Sequence, residues 1–147
     1  VLPSNIRGLT EAGIAIREAI YAQGIEGEKG GIIDHIVLYG PALTEKGHTR
    51  NFVLCPDDAY DRSPCGTGCS ARLSCLAADN RLAPGEEIYQ ESTIGSGYTL
   101  SYERSTSPTA PTGSIVPSIT GQAFITREAT LINNPNDPLK KGIVLGC

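Results

Sequence analysis

The stretch Asp61–Ala71 reads DRSPCGTGCSA, and its proline limits where the chain can become helical. Pro64 fixes its own φ and disfavours a helical conformation at Ser63, so the helix indicated by the following residues begins only after Pro64. The first amides of such a helix lack internal hydrogen-bond partners and lie at the positive end of the helix dipole. Gly66 and Gly68 let the backbone approach a ligand closely. The motif therefore predicts a site for a small anion, such as a carboxylate or a phosphate.

Cys65 lies at the mouth of this predicted helix. A thiolate at that place is stabilised by the same free amides, so the arrangement favours a reactive cysteine. Three alternatives stay open from the residues alone: an inert structural cysteine, a metal site, and a cysteine–histidine hydrolase that uses His35 or His48. The spacings of Cys65, Cys69 and Cys75 match no common zinc pattern, so a metal site is disfavoured.

The residues around Cys55, Cys69 and Cys75 favour structural positions for these three cysteines. Cys69 follows Cys65 by one helical turn and is expected in the core. Cys55 and Cys75 lie in apolar runs and are expected in the core as well. His48 is expected on an exposed loop. These expectations leave Cys65 as the thiol whose neighbours suggest chemistry.

Hydrophobic periodicity predicts a helix in the first part of the chain. It is expected to begin after an N-cap at Thr10 and to end at Gly24 or Gly27. Its predicted buried face consists of four apolar residues: Ala12, Ile16, Ala19 and Ile20.

Most of the remaining chain is predicted to form short strands. One run, 30–40, carries His35 near its middle, and another covers 50–56. Runs 86–95 and 97–103 predict a hairpin, and 114–132 predicts two strands broken near 126–128. Many short strands with two helices predict an α+β domain with an antiparallel sheet.

Composition narrows the classes of function. The 147 residues suffice for one domain with a real core, and 39% hydrophobic with 19% charged residues is typical of a globular protein. A net charge of -4 disfavours nucleic acid as a partner. The chain shows no apolar run of membrane-span length and no signal peptide, so no membrane partner is expected. Its five cysteines are too few for a disulfide scaffold, which indicates reduced thiols in a cytoplasmic protein. Because methionine is absent even from position 1, we expect a fragment or a processed piece.

The segment DRSPCGTGCSARLSCLAADNRLAPGE resembles the second cysteine motif of the proline racemase family, and within it that of the 4-hydroxyproline 2-epimerases. Further matches are GGIIDHIVLYG, ESTIGSGYTLSYE and IVPSITGQAFITREATL, in family order from about Gly30 to Leu131. The resemblance implies the fold of diaminopimelate epimerase, in which antiparallel strands wrap around a central helix. That helix would be the one after Cys65.

The resemblance also implies a mechanism without a cofactor. In the family, two cysteines flank the α-carbon of a bound proline or hydroxyproline; one thiolate removes the α-proton, and the opposite thiol returns a proton to the other face. Carried over to this sequence, Cys65 matches the second catalytic cysteine. Gly66 and Thr67 match the amides that hold the substrate carboxylate, and His35 and Asp61 match residues that contact the substrate.

The family's first cysteine lies in an MCGHG-type motif of the N-terminal half, and that motif does not occur here. The resemblance therefore assigns residues 1–147, as a single domain, to the C-terminal half of a two-domain epimerase. Its implied partners are the missing N-terminal half, proline or hydroxyproline, and a second copy in a homodimer. Cys65 argues against a related dehydratase branch, which typically carries threonine there. Two other functions stay open: an inert domain that binds a small carboxylate, and a thiol-redox or metal module.

Overall fold

The computed structural model describes residues 1–142, where helices and strands are interspersed along the chain. In chain order the elements are α1 (Ile6–Ala22), β1 (Ile36–Gly40), β2 (Thr49–Leu54), α2 (Gly66–Ala78), β3 (Ile88–Ser92), β4 (Gly97–Arg104) and β5 (Ile115–Thr120). Single turns of 3₁₀ helix lie at Pro3–Asn5, Glu28–Gly30 and Pro56–Asp58. The predicted α+β class is confirmed. None of the helices within residues 1–142 combines the length and the apolar character that crossing a membrane requires.

The strands form one five-stranded sheet in the order β1-β2-β3-β4-β5. The predicted hairpin is the antiparallel pair β3–β4, and β1–β2 and β4–β5 are also antiparallel. The pair β2–β3 is parallel, with Thr49 opposite Gln90, so the expectation of a purely antiparallel sheet is wrong. Parallel neighbours need a long crossover connection, and α2 lies in the connection between β2 and β3.

The two helices pack on opposite faces of the sheet. Side chains alternate along each strand, so neighbouring residues of one strand contact different helices. In β1, Ile36 belongs to the cluster beneath α1, whereas Val37 approaches Gly68 in α2. In β2, Phe52 and Leu54 also belong to the α1 cluster. The predicted anion site at the start of α2 thus lies on the face opposite α1.

Apolar contacts anchor α2 to the sheet. Its buried residues recur at helical spacing: Cys69, Leu73, Leu76 and Ala77. They pack with four residues of the following segments: Leu82, Ile88, Leu100 and Tyr102. Each fully buried leucine of this kind contributes roughly 1.5–3 kcal/mol. This packing fixes the helix axis and, with it, the position of the helix start.

Helix α1 begins at Ile6, earlier than predicted, and buries a different face. Thr10 lies inside the helix, where its hydroxyl donates to the Ile6 carbonyl at 2.9 Å, so it is not a cap. Three residues of the predicted buried face are exposed: Ala12, Ile16 and Ala19. Gly13 is buried instead, because a Cβ there would lie 3.1 Å from Leu54 Cδ2. Close approach at Gly13 turns that side of α1, together with Ile20, toward the sheet.

After β5, residues 121–142 contain no strand, so the second of the two strands predicted in 114–132 is absent. Thr120 pairs with Thr99, and β4 begins at Gly97. Little of β4 therefore remains for the chain to pair with beyond Thr120. β5 is an edge of the sheet, and its Pro117 suits an edge strand.

Candidate active site at the start of α2

Cys65 occupies the N-cap of α2 in a strained backbone conformation. Its φ of 64° and ψ of 119° fall in a region that residues with side chains rarely adopt. The Gly68 N–H donates to its sulphur over 3.4 Å, and the Thr67 hydroxyl lies 3.4 Å from the same atom. Such strain persists only where the surrounding structure maintains it, and it clusters at functional sites.

Two backbone amides at the start of α2 are free to bind a ligand. Within residues 1–142, no hydrogen bond takes up the N–H of Gly66 or Thr67. The neighbouring amides are used: Cys65 N–H donates to Ser63 Oγ at 3.1 Å, and Cys69 N–H donates to the Cys65 carbonyl at 2.9 Å. A side chain built at Gly66 would meet nothing within 4 Å, so the space in front of these amides is open.

Gly68 lies beside the thiol and β1. A Cβ at Gly68 would lie 3.4 Å from Cys65 Sγ and 3.4 Å from Val37 Cγ2, which is an ordinary contact distance.

The sheet holds the loop that carries Cys65. The buried side chain of Asn51, in β2, donates from Nδ2 to the Pro64 carbonyl at 2.8 Å. Ser96, between β3 and β4, donates from its hydroxyl to the Arg62 carbonyl at 2.9 Å. Since the residues before Cys65 are bonded to two parts of the sheet, the strained thiol is preorganised.

Asp61 belongs to the same loop and is half-buried. Its Oδ1 accepts the Ser63 N–H at 2.8 Å, and its own N–H donates to the Val53 carbonyl at 3.0 Å. One carboxylate oxygen therefore shapes the loop, and no hydrogen bond within residues 1–142 involves the second.

His35 immediately precedes β1. The prediction that it lies near the middle of a strand is therefore wrong. Its exposed ring bonds through Nδ1 to Asp34 Oδ1 at 2.6 Å, and this hydrogen bond lowers the pKa of Asp34. An ionised carboxylate only accepts, so Nδ1 carries the proton and Nε2 is left for another partner.

Cys55 is half-buried and not a core residue, so that expectation is wrong. Burial raises its pKa, and the charges of Asp61, Cys65 and Asp34 raise it further.

Four of the predicted site residues are close in the chain at the start of α2. Cys65, Gly66 and Thr67 adjoin there, and Asp61 lies on the loop before the helix. His35 lies before β1 and bonds to Asp34.

An open cavity of about 380 Å³ lies at the start of α2 and is lined by Gly66. The rest of its lining comes from β4, β5 and the chain that follows: Tyr98, Ile119, Gly121, Gln122 and Ala123. The other four predicted site residues do not line it. Sequence reasoning missed the lining residues and Asn51. Two signals in the sequence could have indicated them. Tyr98 and Gln122 lie in segments that resemble the family, although no role was assigned to either, and Asn51 is a polar residue within an apolar strand.

Cys69 and Cys75 do not line the cavity at Gly66. Cys69 is buried, as predicted, and its sulphur donates to the Pro64 carbonyl at 3.4 Å. Burial, followed by the charge of Cys65, raises the pKa of Cys69 to about 12. Cys75 is exposed in a groove that Val37 and Tyr39 of β1 also line, so its predicted core position is wrong. Within residues 1–142, no three His, Cys, Asp or Glu side chains are grouped to hold a metal ion.

Residues 1–144 match the proline racemase family. The chain is 56% identical over 142 residues to a 4-hydroxyproline 2-epimerase of Roseibium aggregatum, a match that covers 97% of this chain and 44% of that protein. It is 52% identical over 140 residues to a 4-hydroxyproline 2-epimerase of Ruegeria pomeroyi, covering 95% of this chain and 43% of the relative. The chain spans less than half the length of these relatives.

Two solved structures share the fold. A hydroxyproline epimerase from Agrobacterium vitis with bound trans-4-hydroxy-L-proline superposes with a TM-score of 0.72 at 30% identity, covering 98% of this chain and 42% of that one. A probable proline racemase from Agrobacterium radiobacter K84 with bound carbonate gives 0.71 at 26% identity, covering 99% and 43%. These neighbours confirm the diaminopimelate-epimerase-like fold. The family match over nearly the whole chain shows that it belongs to the proline racemase family.

Proposed function

We propose that residues 1–147 form the C-terminal half of a two-domain enzyme that epimerises 4-hydroxyproline, or racemises proline, at the α-carbon. In this proposal Cys65 is one of two acid/base thiols, and the other comes from the N-terminal half. The observation that carries the proposal is a strained thiol at a helix start, beside the amides of Gly66 and Thr67, which no group within residues 1–142 binds. The epimerase names of the relatives supply the reaction class.

The start of α2 suits the substrate's carboxylate. The N–H groups of Gly66 and Thr67 donate to it, and the helix dipole adds roughly 0.3–1 kcal/mol for an anion at such an end. The second oxygen of Asp61 suits the ring ammonium of an imino acid. The free Nε2 of His35 supplies a further polar contact. The carboxylate of the ligand would thus meet the amides of Gly66 and Thr67, and its ring ammonium would meet Asp61 on the loop before them.

The same amides support the chemistry. The α-carbon of a carboxylate is a very weak acid, so removal of its proton needs donors aimed at the charge that develops on the carboxylate. In our proposal the Cα–H bond breaks, the proton forms an S–H bond with the Cys65 thiolate, and the electron pair moves into the carboxylate. The opposite thiol then gives its proton to the other face of Cα. The thiols exchange roles when the reverse stereoisomer reacts, and no cofactor takes part.

A full-length fusion tests this function. It joins the part of the Roseibium aggregatum epimerase outside the matched region to this chain. We expect the fusion to change the optical rotation of trans-4-hydroxy-L-proline with time, and Cys65→Ser to slow this by about 10²–10⁴-fold. Cys75→Ser, on the exposed side of the same helix, should retain activity.

The isolated chain is the second arm of that experiment. It supplies a thiol to one face of the α-carbon only, so we expect no epimerisation. Robust turnover by the isolated chain, or full activity of the Cys65→Ser fusion, would contradict the proposal. A fusion that binds substrate without converting it would favour an inert carboxylate-binding domain.

A further inference from the structure

The peptide unit that joins Pro64 to Cys65 is held at both of its edges. Its carbonyl accepts from Asn51 Nδ2 at 2.8 Å and from the Cys69 sulphur at 3.4 Å. Its N–H donates to Ser63 Oγ at 3.1 Å. A carbonyl oxygen has two lone pairs, so two donors use both of them. Because a peptide unit is planar, the three bonds together fix its rotation and, with it, the φ of 64° at Cys65.

Cys69 bonds to the chain on both sides of Cys65. Its sulphur donates to the Pro64 carbonyl before that residue, and its N–H donates to the Cys65 carbonyl after it at 2.9 Å. The second bond is the ordinary helical bond to residue i−4, which any residue except proline can make. The first bond needs a side-chain donor at position 69. The thiol of Cys69 therefore supplies a hydrogen bond that an apolar side chain of similar size cannot make.

The surroundings of Cys69 maintain this hydrogen bond. Cys69 and Pro64 are both fully buried, and Cys69 packs in the apolar cluster that includes Leu73 and Leu100. Burial, more than any nearby charge, raises the pKa of Cys69 to about 12, so its sulphur keeps the proton at neutral pH. At neutral pH Cys69 is therefore a buried S–H donor that bonds the residue before the reactive thiol, and not a second nucleophile.

We propose that Cys69 is a positioning residue for Cys65. Its S–H acts from α2 and the Asn51 amide acts from β2, so helix and sheet hold the Pro64 carbonyl from two sides. Loss of the S–H bond gives the peptide unit more freedom to turn, and Cys65 can relax from its strained φ. Relaxation takes the Cys65 sulphur away from the Gly68 N–H that now donates to it. The consequence for catalysis rests on the proposed function, whereas the consequence for thiol reactivity does not.

Cys69→Thr and Cys69→Val form a matched pair, because their side chains have the same shape and differ in the hydroxyl donor. Each isolated chain is treated with limiting iodoacetamide, and peptide mapping follows the labelling of Cys65 with time. We expect Cys69→Val to slow this labelling at least about threefold and Cys69→Thr to keep it within about twofold of the wild-type rate. The half-buried Cys55 is an internal reference, because general loosening of the chain would speed its labelling.

The same pair in the full-length fusion separates kcat from KM. We expect Cys69→Val to lower kcat about tenfold with little change in KM, because the thiol is misplaced while the amides of Gly66 and Thr67 still bind the carboxylate. Cys69→Thr should restore kcat to within about threefold of the wild-type value. A role in packing alone would not distinguish the two variants in this way.

Labelling and turnover are independent outcomes. An inactive wild-type fusion would contradict the proposed function, and the labelling of the isolated chain would still test Cys69. Equal labelling of Cys65 in Cys69→Thr and Cys69→Val would overturn the positioning role, because packing alone would then account for Cys69. Urea unfolding shows whether both variants fold. If Cys69→Val does not fold, the smaller pair Cys69→Ser and Cys69→Ala makes the same comparison, and equal labelling in that pair would overturn the role as well.

Discussion

Cys65 combines three features that are separately uncommon: a positive φ, an N-cap position and a sulphur that accepts from a backbone amide. Each has a local cause. Pro64 keeps the helix from starting earlier, the Gly68 N–H donates to the sulphur, and Asn51 bonds the Pro64 carbonyl from the sheet. Because these neighbours keep the thiol in place, its chemistry is set before a ligand arrives.

Selective alkylation follows from these contacts. With limiting iodoacetamide at neutral pH, we expect Cys65 to be labelled about tenfold faster than the exposed Cys75, because only the former has an amide that stabilises its thiolate. The raised pKa values of Cys55 and Cys69 should keep both nearly unlabelled. Peptide mapping identifies the labelled thiol.

The matched controls for alkylation are two single variants. Cys65→Ser should remove the fast phase, whereas Cys75→Ser should leave it unchanged. Faster labelling of Cys55 or Cys75 would mean that the start of α2 does not activate its thiol.

At the level of elements, the ends of the helices were the features best predicted from the sequence, because they depend on neighbouring residues. The start of α2 follows from Pro64, and α1 ends just before Gly24, whose φ is 66°. The buried face of α1 could not be predicted in the same way, because it depends on how closely Gly13 approaches Leu54, a residue distant in the sequence. The parallel pair β2–β3 also depends on tertiary packing. The second strand predicted in 114–132 does not form, because little of β4 remains to pair with the chain beyond Thr120.

A buried ion pair connects the elements near the site. Arg50 in β2 and Glu91 in β3 are both buried, and Arg50 Nε lies 3.4 Å from Glu91 Oε2. That contact is an ion pair without hydrogen-bond geometry, since Arg50 Nε has no hydrogen-bond partner within residues 1–142. Burial acts to raise the pKa of Glu91, but hydrogen bonds from Leu43 and Thr44, with the Arg50 charge, lower it overall.

Removal of this carboxylate should therefore destabilise the fold. We expect Glu91→Gln to lower the free energy of unfolding by about 3 kcal/mol at neutral pH, because it leaves the buried Arg50 charge uncompensated. The exposed neighbour Glu87 is the matched control, and Glu87→Gln should change stability by less than about 0.5 kcal/mol. Urea unfolding followed by circular dichroism measures both. Equal stabilities for the two variants would show that the ion pair contributes nothing.

The pH dependence of stability has a defined sign. Since folding lowers the pKa of Glu91, its stabilising contribution is present above the unfolded value of about 4.3 and is lost as pH falls through the lower folded value. The difference between the wild-type chain and Glu91→Gln should therefore shrink on acidification. A difference that grows below pH 4 would contradict this assignment.

At the scale of the whole molecule, the candidate site is an open cavity. It is lined by Gly66 at the start of α2 and bordered by residues 121–123, after which Phe124 and Ile125 are largely exposed. The family motif predicted the residues of the helix start, which lie within one loop. It gave no role to Tyr98 and Gln122, because their place beside Gly66 depends on sheet pairing and on the path of the chain after β5. A reaction that needs groups on both faces of a carbon matches such a one-sided site only when a second part completes it.

The origin of the proton in the product tests whether Cys65 is one of two thiols on opposite faces of the substrate. The full-length fusion is allowed to convert trans-4-hydroxy-L-proline in D₂O, and both epimers are separated early in the reaction and analysed by mass spectrometry. With two opposed thiols we expect deuterium at Cα in the product and almost none in the remaining substrate, because the proton is removed on one face and a solvent-derived one is added on the other. Product that keeps its original proton, or deuterium that enters substrate and product alike, would point to a single base and would rule out the two-thiol arrangement.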